Sequence, residues 1–216
     1  MTVIAIDGPA GAGKSTVGRA VATDLGVPYL DTGAMYRAVT FAVLRRGVDP
    51  LDLGAVAAVA TDATLDFSDD GTTTRVIVDG DDATAAIRGR EVTANVSAVA
   101  ANSDVRAAMV DVQRNWVAER GGAVVEGRDI GSVVFPEADL KLFVTASARV
   151  RAERRVAEIG GDVDEVEASI IERDRKDSSR ADSPLVEASG AVVVDTTGMT
   201  IAEVVAEITS MLGEQS

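Results

Sequence analysis

The chain contains no cysteine and no histidine, and only 3% of its residues are aromatic. The absence of cysteine excludes disulfides, thiolate nucleophiles and cysteine-ligated metal sites. The absence of histidine removes the most common general base and a common metal ligand. Any catalysis by this protein must therefore depend on carboxylates, basic side chains, hydroxyls and backbone groups.

Long hydrophobic runs are missing too. None reaches the roughly 18–20 apolar residues that a membrane span needs, and no basic leader precedes a hydrophobic core. We therefore expect a soluble, cytoplasmic protein. Its 216 residues are enough for one α/β catalytic unit with an inserted subdomain, but not for two large domains.

Positive charge is scarce, with 21 basic against 35 acidic residues and a net charge of −14. This balance argues against a nucleic-acid partner, because such proteins gain affinity by neutralising backbone phosphates. Only three of the basic residues are lysines. Arginine, which makes up the rest, is suited to forked contacts with phosphate oxygens. The composition favours small-molecule phosphate chemistry with locally concentrated positive charge.

The most informative motif is a phosphate-binding loop after the apolar residues 3–6. It matches G-x-x-x-x-G-K-[ST] at every specified position. The predicted nucleotide-binding residues are Gly8, Pro9, Ala10, Gly11, Ala12, Gly13, Lys14, Ser15 and Thr16. Glycines allow backbone N–H groups to turn towards phosphates, Lys14 would reach the β- and γ-phosphates, and Ser15 would offer a hydroxyl to Mg²⁺. A glycine-rich turn before a helix is the alternative, but the amphipathic helix that follows favours a nucleoside triphosphate site.

Apolar runs without polar alternation are typical of strands covered on both faces. They predict an α/β fold, a parallel sheet of the P-loop NTPase type flanked by helices. The predicted strands of this sheet are residues 2–6, 123–126, 140–144 and 191–194. The predicted helices are about 14–25, 33–46, 91–119, 147–158, 163–175 and 200–212. Short strands near 64–67, 74–78 and 83–87, separated by Asp- and Gly-rich turns, predict a small antiparallel insert at 63–87.

Eight of the 21 basic residues fall between residues 149 and 180, on two helical patterns joined by Gly160-Gly161. Such a hairpin could swing over a bound nucleotide, bring arginines to the transferring phosphoryl group and exclude water. Acidic residues alternate with these arginines, so a solvated helical pair joined by salt bridges is the alternative. Given the phosphate loop, we favour a lid.

Two arginines and two carboxylates occupy positions suited to phosphate transfer. Arg37 lies one turn into a predicted helix, and Arg128 follows a strand at the edge that carries the loop. Either could hold an acceptor phosphate or be an ordinary surface arginine. Glu126 and Asp7 end strands beside the loop, where a carboxylate could orient Mg²⁺. Without histidine, an acceptor whose phosphate is already ionised is favoured, although Asp129 or Asp7 could serve as base for an alcohol.

Four segments, residues 4–16, 30–37, 126–136 and 172–180, together resemble the bacterial cytidylate kinase family of P-loop nucleoside-monophosphate kinases. The resemblance runs nearly end to end, with Ser132 standing where the family more usually has threonine. It implies a single kinase unit in three parts. These are a core of about 1–32, 121–148 and 184–216, a monophosphate-binding part of about 33–120 and a lid of about 149–180.

The resemblance also implies Mg²⁺-dependent phosphoryl transfer from ATP to CMP and dCMP. The implied monophosphate site consists of Thr32, Arg37, Ser97, Arg106, Arg128, Asp129, Arg173, Asp177 and Arg180. Ser97, Arg106 and Asp129 would read the cytosine edge, and Asp177 would hold the ribose. Arg37, Arg128 and Arg180 would hold the acceptor phosphate. The implied catalytic residues are Lys14, Arg128, Arg173 and Arg180, with Ser15 and Glu126 directed to Mg²⁺.

Two other functions stay open at this stage. A kinase of a small metabolite such as shikimate or gluconate would share the phosphate loop, but the insert at 63–87 would then lack a nucleotide-reading purpose. A GTPase switch would use a D-x-x-G element, which Asp195-Thr-Thr-Gly198 matches, but the chain has no N-K-x-D guanine motif. We expect a monomer that acts on free nucleotides and has neither nucleic-acid nor membrane partners.

Overall fold

The computed structural model describes residues 1–179 and 182–213. The chain forms two compact units. The first unit consists of residues 1–29 and the chain from residue 122 onward, and the second is Leu30–Gly121.

The first unit is organised by a parallel sheet. The strands of this sheet are β1 (Thr2–Asp7), β2 (Tyr29–Asp31), β6 (Gly122–Glu126), β7 (Leu140–Thr145) and β8 (Val192–Asp195), numbered together with those of the second unit. Their order is β2-β6-β1-β7-β8, so β1 is central. The Val- and Ile-rich runs of β1 and β6 are buried, as the unbroken apolar pattern predicts: Ile4, Ile6 and Val124 have no exposed surface. The prediction fails for β8, which lies at the edge of the sheet and leaves Val193 47% exposed. The predicted parallel α/β fold is confirmed.

The described part of the first unit contains four α-helices. They are α1 (Lys14–Leu25), α6 (Ala148–Ile159), α7 (Val163–Ser178) and α8 (Ile201–Gly213). Val17 and Val21, one turn apart on α1, join Leu142 of β7 and Ile208 of α8 in a single hydrophobic core. Helix α1 ends at Gly26, whose φ of 65° is the left-handed conformation that terminates helices readily.

The second unit combines helices with a small sheet. Its elements are α2 (Thr32–Arg45), α3 (Leu53–Asp62), β3 (Leu65–Asp69), β4 (Thr74–Val78), β5 (Asp81–Asp82), α4 (Arg90–Val99) and α5 (Ser103–Glu119). Strands β3, β4 and β5 form the predicted antiparallel insert. Trp116 of α5 donates from Nε1 to the Phe67 carbonyl of β3 at 3.3 Å and so links the helix to the small sheet.

Several local predictions were wrong. The single helix expected at 91–119 is two helices, because the Asn102 side chain caps the N–H groups of Asp104 and Val105 and starts α5. The strand expected at 83–87 is replaced by a 3₁₀ turn at Ala86–Arg88. Strand β2 and helix α3 lie in segments for which no element was predicted.

No helix in the described part of the chain is long and apolar enough to cross a membrane.

Candidate active site

The phosphate loop connects β1 to α1 at the carboxyl end of the central strand. Gly8 and Gly13 have φ values of 143° and 88°, a region that other residues rarely adopt. A Cβ atom at Gly8 would lie 1.9 Å from the Val144 carbonyl oxygen of β7. Only glycine therefore fits at this position, and the backbone can follow the tight curve that phosphate binding requires.

Lys14 is the first residue of α1 and is buried, with 4% of its surface exposed. Its Nζ donates to the Pro9 carbonyl oxygen of the same loop at 2.9 Å. The ammonium group is thereby held inside the curve of the loop, beside the partly positive N-terminus of α1. This arrangement concentrates positive charge where a polyphosphate would bind.

Ser15, Glu126 and Tyr29 form a chain of hydrogen bonds beside the loop. Ser15 Oγ donates to one carboxylate oxygen of Glu126 at 3.0 Å, and the Tyr29 hydroxyl donates to the other at 2.6 Å. The Tyr29 ring packs against Gly18 of α1, where a Cβ would lie only 2.8 Å from the ring. A hydroxyl next to a fixed carboxylate is a donor set that suits Mg²⁺, which prefers oxygen ligands.

Asp7, at the end of β1, supports the neighbouring turn. Its two carboxylate oxygens accept from the N–H groups of Ile130 and Gly131 at 2.8 and 2.7 Å. Burial raises the pKa of Asp7 to about 6, although the two backbone hydrogen bonds lower it. Both oxygens are engaged by the backbone, so this geometry favours a supporting role over the magnesium or base roles considered from sequence.

The turn that Asp7 supports follows directly on Arg128 and Asp129. Arg128 donates from Nε to Asp177 Oδ2 of α7 at 3.1 Å, and Arg173 Nε lies 4.0 Å from the same oxygen. Asp177 and Asp129 are buried, with 1% and 4% of their surface exposed. The first unit thus brings the Arg128 and Arg173 side chains together at the carboxylate of Asp177. Arg180 lies outside the described residues.

The second unit carries the other predicted acceptor residues. Arg37 of α2 donates from Nη1 to the Ile87 carbonyl and to Thr93 Oγ1 of α4, both at 3.0 Å. Ser97 is half-buried one helical turn beyond Thr93. Thr32 is the buried first residue of α2. Helices α2 and α4 therefore fix the Arg37 guanidinium on the face of α4 that carries Ser97.

Arg106 of α5 is a buried arginine, with 4% of its surface exposed. Its guanidinium carbon lies 5.3 Å from the centre of the Tyr36 ring, and Nη1 donates to the Ala100 carbonyl at 3.2 Å. An aromatic face stabilises a cation that has been withdrawn from water. The side chain is therefore held in one place inside the second unit.

The arginines of the predicted lid separate into two groups. Arg149 of α6 forms exposed ion pairs with Asp164 and Glu167 of α7, as the salt-bridged alternative expected. Arg154 instead donates to both oxygens of Thr196, whose hydroxyl donates to the Ala12 carbonyl of the phosphate loop at 3.1 Å. Part of helix α6 thus supports the loop through Thr196.

Sequence reasoning missed Tyr29, Thr93 and Thr196. None lies in a motif with specified chemistry. The signal for Tyr29 was the position of a phenol in a short apolar segment before Asp31, but its partner Glu126 is 97 residues away in the chain. Only the pairing of strands brings such residues together.

A phosphate loop at the carboxyl end of the central strand of a parallel sheet is the arrangement of P-loop nucleotide-binding proteins. Solved structures agree at the level of the fold. A gluconokinase of Sinorhizobium meliloti is 18% identical with a TM-score of 0.51, covering 100% of this chain and 97% of its own. A sugar kinase of Janibacter sp. is 13% identical with a TM-score of 0.53, covering 99% and 95%.

The cytidylate kinase family model matches residues 4–214. Cytidylate kinases of Mycobacterium avium and Streptomyces avermitilis are 48% and 45% identical, over 99% of this chain and 96% and 93% of theirs. A bifunctional pantoate ligase/cytidylate kinase of Synechococcus sp. is 48% identical over 99% of this chain, which spans 43% of that longer protein. The chain belongs to the cytidylate kinase family and is a nucleoside-monophosphate kinase.

Proposed function

We propose that this protein transfers the γ-phosphoryl group of ATP to CMP and dCMP, producing ADP and the cytidine diphosphates with the aid of Mg²⁺. The proposal rests on a complete phosphate loop. It also rests on the arginines and carboxylates at the positions that the family resemblance assigns to a cytidine monophosphate. Family membership supports the kinase chemistry, and the side-chain contacts support the roles given below.

On the donor side, the loop amides and Lys14 would bind the β- and γ-phosphates. The ammonium already lies against the loop backbone through Pro9. Little rearrangement is then needed as charge develops on the transferred group, which is the condition for effective electrostatic catalysis. Positioning and charge neutralisation would supply most of the rate enhancement.

On the acceptor side, arginines would hold the CMP phosphate. Arg128 and Arg173 both lie near Asp177, and Arg37 is fixed by Ile87 and Thr93. The ionised acceptor phosphate needs no base to remove a proton, in keeping with a chain that contains no histidine. Arg180 is proposed to join this group on the basis of the family pattern alone.

Cytosine would be recognised by Ser97, Arg106 and Asp129. The N4 amino group of cytosine is a donor that a carboxylate such as Asp129 can accept, and its O2 and N3 acceptors suit arginine and serine. Arg106 is held against Tyr36 and so has a fixed position in the second unit. Asp177 would accept hydrogen bonds from the ribose hydroxyls.

Mg²⁺ would be held by Ser15, with Glu126 acting directly or through water, and by the phosphate oxygens of ATP. The bound ion would supply charge neutralisation between the β- and γ-phosphates. The Ser15–Glu126 hydrogen bond and the Tyr29 hydroxyl keep these oxygens together. The chain's own contribution is to fix the hydroxyl and carboxylate before the ion arrives.

A panel assay tests the proposal. The purified chain is incubated with ATP, Mg²⁺ and each of CMP, dCMP, UMP, AMP and GMP, and diphosphate formation is measured. We expect the highest kcat/KM with CMP and dCMP. Higher activity with AMP or GMP would refute the cytosine specificity. In a separate incubation, hydrolysis of GTP without any acceptor would instead support a GTPase switch.

The proposal includes a monomeric, cytoplasmic enzyme that acts on free nucleotides. Its acidic character, with a net charge of −14, supports small-molecule substrates over nucleic acid. Sedimentation equilibrium of the purified protein tests the monomer, and a mass of twice 22.3 kDa would contradict it.

A further inference from the structure

Arg151 of α6 contacts the phosphate loop through the Ala10 carbonyl. Its three guanidinium nitrogens reach three different acceptors. Nε donates to the Ala146 carbonyl at 2.9 Å, and Nη1 donates to the Ala10 carbonyl of the loop at 3.1 Å. Only 5% of the residue is exposed. This side chain therefore links α6 to the loop through hydrogen bonds.

The third nitrogen of Arg151 pairs with an acidic residue of the next helix. Nη2 lies 2.7 Å from Asp174 Oδ2 on α7. The other oxygen, Asp174 Oδ1, is buried and has no hydrogen-bond partner among the described residues. The Asp174 side chain as a whole is 23% exposed, and a carboxylate with one oxygen buried and unpaired is unfavourable by itself. The ion pair with Arg151 is the compensation that the described structure shows.

The contact with Ala10 has a geometric consequence for the loop. In a trans peptide the carbonyl and the following N–H point in opposite directions, because the unit is planar. When Arg151 holds the Ala10 carbonyl towards α6, the Gly11 N–H is directed away from α6. Rotation of this peptide would misdirect one of the donors that a phosphate loop offers to its ligand.

We propose that Asp174 is a positioning residue for the donor nucleotide, acting through Arg151 on the peptide between Ala10 and Gly11. Without its counter-ion, the buried guanidinium would turn to other acceptors or to solvent and release the loop carbonyl. The inference rests on the proposed ATP site in the phosphate loop.

A simple charge argument makes the opposite prediction. Removing a carboxylate close to a triphosphate site should strengthen ATP binding, because a repulsive charge is lost. The same result is expected if Asp174 merely restrained an arginine that would otherwise bind phosphate. The sign of the change in ATP affinity therefore distinguishes positioning from repulsion.

The test measures the dissociation constant for ATP by equilibrium binding, without CMP, for the wild-type chain and for D174A, D174N and R151K. Glu167→Gln is the matched control, because Glu167 also joins α7 to an α6 arginine, Arg149, at 3.2 Å but does not reach the loop. We expect D174A and R151K to weaken ATP binding by about tenfold or more, and D174N by less, since the Asn oxygen can still accept from Arg151. E167Q should stay within about twofold of wild type.

Two further readouts separate positioning from a loss of stability. The Gly11 amide resonance in ¹H–¹⁵N spectra should shift in D174N and R151K but not in E167Q. In the double variant R151K/D174N, ATP should bind about as weakly as in R151K alone, because both changes break the same contacts from Asp174 through Arg151 to the Ala10 carbonyl. Should D174A fail to fold, D174N and the Gly11 resonance carry the test.

Equal or tighter ATP binding by D174N or D174A would overturn the inference, as would an unmoved Gly11 resonance. Failure of the wild-type chain to bind ATP would instead refute the proposed function. The two failures are therefore distinguishable.

Discussion

The phosphate loop and the proposed acceptor residues are built in different ways. The loop is one continuous segment, and its groups are fixed by neighbours in the first unit such as Val144, Arg151 and Thr196. The proposed acceptor residues come from separate elements of both units, and five of the nine are arginines. Arg128 and Arg37 are each held by groups of the protein itself.

This difference indicates where each half of the proposed reaction would obtain its binding energy. Backbone N–H groups in a rigid loop are offered to ATP with little conformational cost. An arginine that is already paired with a carboxylate, as Arg128 is with Asp177, must exchange or share that partner with an incoming phosphate. Changes in the loop should therefore affect catalysis of the donor step, while changes at the arginines should affect use of CMP.

The largest effect is expected for Lys14→Ala. Removing the ammonium from the loop should lower kcat on the order of a thousandfold, because charge on the transferring phosphoryl group is no longer neutralised. Steady-state kinetics with saturating ATP and CMP measure this loss, and circular dichroism checks the fold. Lys141→Ala, which removes a lysine that bonds the Ser189 carbonyl, should leave kcat within about twofold. A similar loss in both variants would contradict the donor role.

Arg128→Ala should have the next largest effect and a different pattern. Hydrogen bonds to charged groups contribute about 1.5–3 kcal/mol each, so kcat/KM for CMP should fall about a hundredfold, with KM for CMP raised. Direct binding of ATP should change little. Arg75→Ala, which removes a largely exposed arginine of β4, is the control. If ATP binding weakened as much as kcat/KM for CMP fell, the assignment of Arg128 to the acceptor and not to the donor would be refuted.

Tyr29→Phe tests the hydrogen-bond chain behind Ser15. Loss of the 2.6 Å bond to Glu126 should lower kcat about fivefold and raise the Mg²⁺ concentration needed for half-maximal activity, since one bond to a carboxylate is removed. Tyr36→Phe is the matched control, because that tyrosine packs beneath Arg106. The ring that faces Arg106 is kept, so this variant should leave the Mg²⁺ response unchanged. A shifted Mg²⁺ response in both variants would refute this assignment.

The smallest effect concerns Asp7, which links β1 to the turn after Asp129. Its folded-state pKa of about 6 lies above the usual 3.8, so the folded state binds the extra proton between these values. The stability this proton provides is present at low pH and is lost as pH rises through about 6. Relative to D7N, wild type should lose about 1 kcal/mol of unfolding free energy between pH 5 and pH 7. Urea unfolding at both values measures this, and a flat or opposite difference would contradict the raised pKa.

The fold was largely predictable from local patterns. Unbroken apolar strands and a motif with fixed spacing indicate a parallel sheet with a phosphate loop, and paired turn sequences indicate an antiparallel insert. The errors arose where a single side chain decides an element. Asn102 starts a new helix inside a continuous helical pattern, and a two-residue strand such as Asp81–Asp82 has too few residues to show alternation.

Residues of the site were predictable where chemistry is tied to spacing. Lys14 and Ser15 follow from the loop motif alone, whereas the proposed acceptor residues were named through a family resemblance and their roles stay predictions. Asp7 was recognised as a residue beside the loop, but its engagement by the Ile130 and Gly131 amides could not be read from sequence, because those groups are more than 120 residues away.

By itself, the sequence determined that a phosphate loop follows the first strand and predicted that a nucleotide's phosphates bind there, since glycine torsions and a Lys-Ser pair are local properties. It also excluded histidine and cysteine chemistry outright. Tertiary structure decided how that loop is held: Arg151 and Thr196 reach its carbonyls, and Tyr29 reaches Glu126. These contacts join residues about 100 to 180 positions apart, and only strand pairing and helix packing can bring such groups within hydrogen-bonding distance.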